Sequence, residues 1–321
     1  MARVRVFLLA MIAVLFGPPA AIAQEHYPTR PVRMVVSTPA ASSPDIRARI
    51  LADALSKTWG QRVFVENRPG GGGIIGAQSV ALAEPDGSSL LAASSSTYTI
   101  LPAQIEKAPV DINRDLVPVA LIASEGMILA VSPSLAVNSL AEFIALAKKQ
   151  PYTIIIGTNP AGSLPHMTGR LLVALSEAPI IVVPSTGGTN EAIKEIVGGR
   201  VHAVIDSLPA LRGALDAGEI KALAIMLPQR LPMKPDLAAG VETLPGLTAI
   251  GWQAVAVRAG TPAAIVAQLT NDLRTTMEKP DVRARLDQIG TPFQPLFGAD
   301  VVRFIQAEQK LWWPIVKAAA K

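Results

Sequence analysis

The chain has 321 residues, no cysteine, and side chains that are 50% hydrophobic but only 4% aromatic. That is long enough for two ordinary cores, filled mainly by Ala, Val, Leu and Ile, with no disulfide, thiol nucleophile, thiolate metal site or lipobox anchor. Its 29 basic and 25 acidic residues give a net charge of +4, which falls to +2 without Arg3 and Arg5, and no basic block is present; nucleic acid and anionic membrane surfaces are poor partners for such a chain.

Residues 1–24 read as a secretory signal peptide. Arg3 and Arg5 give a positive end, residues 7–16 an apolar stretch, and Ala21-Ile22-Ala23 an A-x-A site, so cleavage is expected after Ala23 with export to the periplasm. No later stretch reaches about eighteen uninterrupted apolar residues, and a soluble monomer is expected.

Residues 33–60 then read as strand, loop and helix. Ser43 is placed as the N-cap, Pro44 in the first turn, Asp45 where a carboxylate complements the helix dipole, and Gly60 as the left-handed stop. A strand over 62–66, a turn at 69–73, a helix over 74–83, the Pro85-Asp86-Gly87 turn and a strand over 90–93 complete a β-α-β-α-β unit that ends in the polar run 94–97. Two further strands are expected at 117–122 and 127–131, and a helix over 139–149. A second unit repeats this grammar: strand 154–156, loop 157–163, helix 165–174, strand 180–183, loop 184–189, helix 190–197, and strand 201–205 ending at Asp206. A strand at 222–226, a polar surface excursion over 231–247, a strand at 253–257 and helices over 263–278, 281–288 and 299–319 follow. The pattern is α/β, with two doubly wound lobes, a helical C-terminal segment and a cleft between the lobes.

Gly71, Gly73 and Gly76 satisfy G-x-G-x-x-G, but they follow the second strand after an intervening segment and lack the expected acidic residue downstream, so no cofactor is expected there. Ser163 and His166 raise the alternative of a periplasmic hydrolase. No G-x-S-x-G elbow surrounds the serine, which fits better as the N-cap of its helix, leaving the Gly162 and Ser163 amides where an anion would sit. His26, His166 and His202 have no metal-ligand spacing. Three small-residue loops, 40–43, 160–163 and 186–189, each open a helix, and together they read as facing anion cradles. Trp312 and Trp313 read as core or interdomain packing.

The ordered motifs resemble the periplasmic substrate-binding receptors of tripartite tricarboxylate transporters, the Bordetella uptake gene (Bug-type) receptors. The match includes Tyr27-Pro28-x-Arg30-Pro31, Asp45-x-x-Ala48-Arg49, Glu66-Asn67-Arg68-Pro69-Gly70, Gly162-Ser163-x-x-His166, Trp252, Ala259-Gly260-Thr261-Pro262 and Glu308-x-x-x-Trp312. The resemblance implies a two-lobe, type II venus-flytrap binding protein without catalytic activity. It implies lobes of 25–125 plus 250–321 and of 126–249, closing on a small carboxylate for uptake by such a transporter or for sensing, with a membrane permease or sensor as partner. Candidate ligand-binding residues are Thr38, Ala41, Ser42, Asp45, Ser95 and Ser96 on one side, and Thr158, Asn159, Gly162, Ser163, Gly187, Gly188 and Asp206 on the other. The chain departs from the family pattern in two places. Pro39, Ala40, Ala41 and Ser42 stand where Pro-Pro-Gly-Gly is usual, and Ser185 and Thr186 replace a tyrosine and a basic residue. Both changes suggest a ligand bulkier or less charged than a dicarboxylate.

Overall fold

The computed structural model describes residues 27–40, 42–105, 108–232, 234–288 and 295–319. The leader and Ala41 lie outside the described residues. In chain order the main elements are β1 (Val32–Val36), α1 (Ser43–Trp59), β2 (Val63–Asn67), α2 (Ile74–Ala81), β3 (Ser89–Ser94), β4 (Leu116–Val131), α3 (Leu140–Lys149), β5 (Ile155–Thr158), α4 (Leu164–Ser176), β6 (Ile181–Pro184), α5 (Gly188–Val197), β7 (Ala203–Ser207), α6 (Leu208–Asp216), β8 (Lys221–Ile225), β9 (Ile250–Arg258), α7 (Ala263–Glu278), α8 (Pro280–Gln288), β10 (Leu296–Phe297) and α9 (Ala299–Ala319).

The strands run in the order β2-β1-β3-β9-β4-β7-β5-β6, with β8 and β10 also paired to β4. β1 is parallel to β2 and β3, and β5 is parallel to β6 and β7, whereas β9 runs antiparallel between β3 and β4. β4 joins the two halves. Its first part, through Gly126, pairs with β9, and its last five residues, from Met127, pair with β7. Strands expected at 117–122 and 127–131 are one, although the polar Ser124-Glu125-Gly126 stretch between them resembles a turn. The backbone instead stays extended there, pairing Glu125 with Gly251 and Gly126 with Ile250, and the Glu125 carboxylate finds a buried partner in Arg47. At this crossing the backbones and side chains are tightly fitted. A Cβ on Gly126 would lie 2.6 Å from Leu227 Cγ, and one on Gly251 would lie 2.8 Å from Met127 Cε.

Alternate residues of β1 face opposite sides, as strand pleating requires. Met34 and Val36 join Leu51, Leu55, Leu269 and Leu273 under α1 and α7, while Val35 joins Val80, Leu91, Trp252, Val301 and Ile305 under α2 and the start of α9. The second half repeats the arrangement. Leu129, Ile156, Leu172 and Ile205 pack with Phe143 and with Trp312 and Val316 of α9, and Ile128, Val204, Ile196 and Leu211 fill the opposite face. α9 therefore begins in one core and ends in the other. Trp312 is core, as its sequence context suggested.

Three local readings shift. Ser42, not Ser43, is the N-cap of α1. The run 94–97 does not remain loop: Ser96–Ile100 forms a wide π turn that continues into a helical turn at Leu101–Gln104. Its Ser/Thr content has low helix propensity, and burial of Tyr98, Ile100 and Leu101 overrides that. α6 was not anticipated, although Ser207, Pro209 and the buried Leu208, Leu211 and Ala214 supply a start signal and an apolar stripe.

Candidate ligand cleft

The first wall is the loop after β1 together with the start of the turn after β3. Thr38 and Ser42 hydroxyls lie 2.9 Å apart, and Ser42 Oγ donates to the Pro39 carbonyl at 2.7 Å. Asp45 stands behind them, almost fully buried. Arg49 Nε donates to its Oδ2 at 3.0 Å and Asn67 Nδ2 to its Oδ1 at 2.8 Å, while the same Asn67 amide reaches the Thr38 carbonyl at 3.2 Å. Asp45 thus ties the β1 loop to the end of β2, a positioning role that its helix-dipole placement alone did not reveal. Ser95 is buried and Ser96 half-buried beside this loop.

The glycine run has a packing explanation. Gly73 has φ +102°, and a Cβ there would lie 2.2 Å from Thr97 Oγ1; one on Gly76 would lie 3.1 Å from the Ser37 Cα. The run brings α2 against the loops after β1 and β3, where Thr97 Oγ1 donates to the Gly72 carbonyl at 3.2 Å and lies 3.3 Å from Ser37 Oγ. The glycines are needed for close approach within the protein.

The second wall carries Thr158, Asn159, Gly162, Ser163, Gly187, Gly188 and Asp206. Four amides that the sequence reading offered to an anion are used inside the wall. Gly162 N–H donates to His166 Nδ1 at 3.3 Å, Ser163 N–H to Pro160 O at 3.0 Å, Gly187 N–H to Glu191 Oε2 at 2.8 Å and Gly188 N–H to Ser185 O at 3.3 Å. Ser163 caps α4 as expected, its hydroxyl accepting from His166 N–H at 3.3 Å. The pair is therefore not arranged as nucleophile and base: the imidazole accepts from Gly162, and the serine oxygen serves the backbone. Burial, and then Arg170, push the His166 imidazole below its ordinary pKa, so it is neutral at neutral pH.

The walls meet along one side and at the floor. Leu164 N–H, in the first turn of α4, donates across the cleft to Ser96 Oγ at 3.1 Å, and Gly162 approaches so closely that a Cβ would lie 2.6 Å from Gln104 Oε1. At the floor Arg47, 2% exposed, forks onto both Glu125 oxygens at 2.8 and 3.2 Å and donates from Nε to Gln253 Oε1 at 3.1 Å. Gln253 in turn donates to the Pro44 carbonyl at 3.0 Å. Arg47 was missed in the sequence, yet it shares an i, i+4, i+8 stripe with Leu51 and Leu55, an unusual place for a cation and the one available signal. Asp206, 7% exposed, accepts from Ser207 N–H at 2.7 Å and from Asn159 Nδ2 at 2.9 Å, and bonds to the Thr189 hydroxyl. Burial first, and the nearby Glu125 charge as well, push its carboxyl above the ordinary aspartate range. Thr189 lies in the 186–189 loop expected as a cradle, but its bond to Asp206 was not foreseen. A separate hollow of about 580 Å³, lined by Tyr27, Thr58, Trp59, Gln268 and Asp272 among others, lies at the opposite end of α1 from the β1 loop.

Residues 47–320 match the family described as the tripartite tricarboxylate transporter family receptor. The chain belongs to this receptor family. Protein BugT of Bordetella pertussis is 32% identical to it over 317 residues, covering 97% of this chain and 96% of BugT. Among solved structures, Rpa4515 of R. palustris with adipate superposes at a TM-score of 0.82 with 30% identity, covering 92% of this chain and 98% of that one. MatC from Rhodopseudomonas palustris with bound malate gives 0.79 and 28%, covering 90% and 100%, and the periplasmic binding protein BugD gives 0.80 and 27%, covering 92% and 99%. The receptor therefore has the two-lobe α/β fold of periplasmic binding proteins of this type, as its sequence motifs implied.

Proposed function

We propose that this receptor captures a small carboxylate-bearing solute in the periplasm by closing its lobes, 25–125 plus 250–321 against 126–249, for delivery to a tripartite tricarboxylate-type permease or to a membrane sensor. The observation that carries the reading is the family match together with two structural relatives that hold adipate and malate. The chemistry of the cleft supports it. In this reading the loops that carry Thr38, Ser42, Ser95, Ser96, Thr158 and Asn159 line the crevice at the strand ends, the usual ligand position in open α/β sheets. The receptor acts without catalysis, as a monomer, after export and cleavage following Ala23.

The ligand's charge is held by dipoles. Arg47, the cation at the cleft floor, already bonds to Glu125 and Gln253. A low-charge acid, such as an aromatic or amphipathic monocarboxylate, suits such walls better than a compact dicarboxylate. Titration calorimetry with benzoate, hexanoate, adipate and malate tests this: one-to-one binding with monocarboxylates favoured is expected. Tight binding of malate with no monocarboxylate binding would overturn the preference, and heat from none of the four would count against the carboxylate reading itself.

A further inference from the structure

Three side chains of the second wall form a closed triangle. Asn159 Nδ2 lies 2.9 Å from Asp206 Oδ2, Thr189 Oγ1 lies 3.0 Å from Asn159 Oδ1, and Thr189 Oγ1 also bonds to Asp206 Oδ2. Each side of the triangle is a hydrogen-bond contact, and an unshared set would need one proton per side. The Asn159 amide can supply one and the Thr189 hydroxyl one, since a hydroxyl has a single hydrogen. An ionised Asp206 supplies none. Turning the Asn159 amide over moves the deficit to another side without removing it, because its oxygen then faces the carboxylate. A proton on Asp206 Oδ2, donated to Thr189 while Thr189 donates to Asn159 and Asn159 to Asp206, gives every side its own hydrogen, whereas an ionised Asp206 leaves the single Thr189 hydrogen shared between two acceptors.

We propose that Asp206 is a neutral carboxylic acid in this arrangement, and that its proton is what allows the second wall to accept an anionic ligand. Taking the cleft as a carboxylate site, as proposed above, the charges at its floor support the same assignment. β4 presents Glu125 toward Asp206, and α1 presents Arg47, which is already committed to Glu125. The loop after β5 and the start of α5 present the uncharged Asn159 and Thr189, while Glu191 of α5 turns away to the Ser185 hydroxyl and Gly187 N–H. With Asp206 protonated, Arg47 and Glu125 cancel and the floor is neutral. Ionisation would leave one negative charge there, facing the incoming carboxylate. Burial raises the Asp206 pKa, in the direction that keeps the proton on. Ligand affinity should therefore fall by about tenfold per pH unit above the Asp206 titration, as for any single linked proton.

Carboxyl ¹³C titration of the uniformly labelled, ligand-free wild-type receptor reads the protonation state directly, with Asp206 assigned through the Ser207 amide. A midpoint above the ordinary aspartate value of about 3.9 is expected; a midpoint at or below that value would overturn the assignment. Calorimetry with adipate, in buffers of different ionisation heat, then tests the linkage. Wild type should take up a proton on binding above the midpoint and lose affinity with a log slope of about one, and Asp206→Asn should take up none and show a flat profile. Equal slopes in the two proteins would overturn the linkage. If adipate fails to bind while Asp206 still titrates high, the neutral acid stands and the carboxylate reading fails, so the two are separable.

Discussion

Arg47 is the residue whose loss should be felt most widely. Its guanidinium holds Glu125 of β4 and Gln253 of β9 at the point where β4 passes from one half to the other, and removing it leaves a carboxylate, 10% exposed, with no cation beside a second buried acid. Breaking one partner of such a pair costs about 3–5 kcal/mol. Arg47→Met should therefore lower unfolding free energy in urea by that order, and adding Glu125→Gln should return part of it. A cost below about 1 kcal/mol would mean that the pair is solvated and does not organise the floor. Asp206 makes a prediction of opposite character. Its folded pKa is raised, so its contribution is fully present below the unfolded aspartate value and is lost as pH rises through the folded pKa. Glu308, half-buried and accepting from the Trp252 and Trp312 indoles, is raised by desolvation as well and acts with the same sign. Stability measured against pH should decline through this window in wild type. The decline should be shallower in Asp206→Asn and shallower again with Glu308→Gln, and an unchanged decline in the double variant would assign it to other groups. The Ser163 cap and the terminal position of Asp206 were legible from local sequence. The pairings of Arg47 and Thr189 were not, because their partners are 78, 206 and 17 residues away in the chain, and no local periodicity encodes such pairings.

At the scale of elements, the close approach of α2 to the first wall rests on glycine. Gly73→Ala would place a methyl against Thr97 Oγ1 at a positive φ, at a cost of about 1–3 kcal/mol. Thr97→Ala in the same chain should recover the steric part and leave the backbone part, a coupling that a double-mutant cycle in urea measures. Strict additivity would show that the two residues do not touch. The long helices α7 and α9 were readable over 263–278 and 299–319 because their apolar stripes are sustained for four turns or more, and both match the structure. The elements that escaped are those where long-range packing decides the outcome. β4 remains one strand through a polar break because β9 lies alongside it throughout. The 96–104 segment coils because Tyr98 packs against Trp252, with ring centroids 5.5 Å apart. The glycine and serine loops were located correctly, but which of their amides are already bonded depends on His166 and Glu191 folding back, which spacing alone does not determine.

At the scale of the molecule, two half-sheets share β4, and α9 runs from one core into the other. The cleft is held along one side by the Leu164 to Ser96 hydrogen bond. That bond acts only when the walls are together. Ser96→Ala should remove about 1 kcal/mol from the closed state and shift the open-to-closed ratio about fivefold toward open, seen as a larger radius of gyration in ligand-free solution scattering. An identical scattering curve would mean that the bond does not bias closure. A ligand that contacts both walls must favour closure by its differential affinity for the two states. Native mass spectrometry of the receptor released from the periplasm without unfolding tests the central claim most directly. The expected result is a polypeptide beginning at Gln24 that carries one small carboxylic acid, released on denaturation. A bare polypeptide mass, together with no gain in thermal stability from any member of a panel of mono- and dicarboxylates, would contradict it.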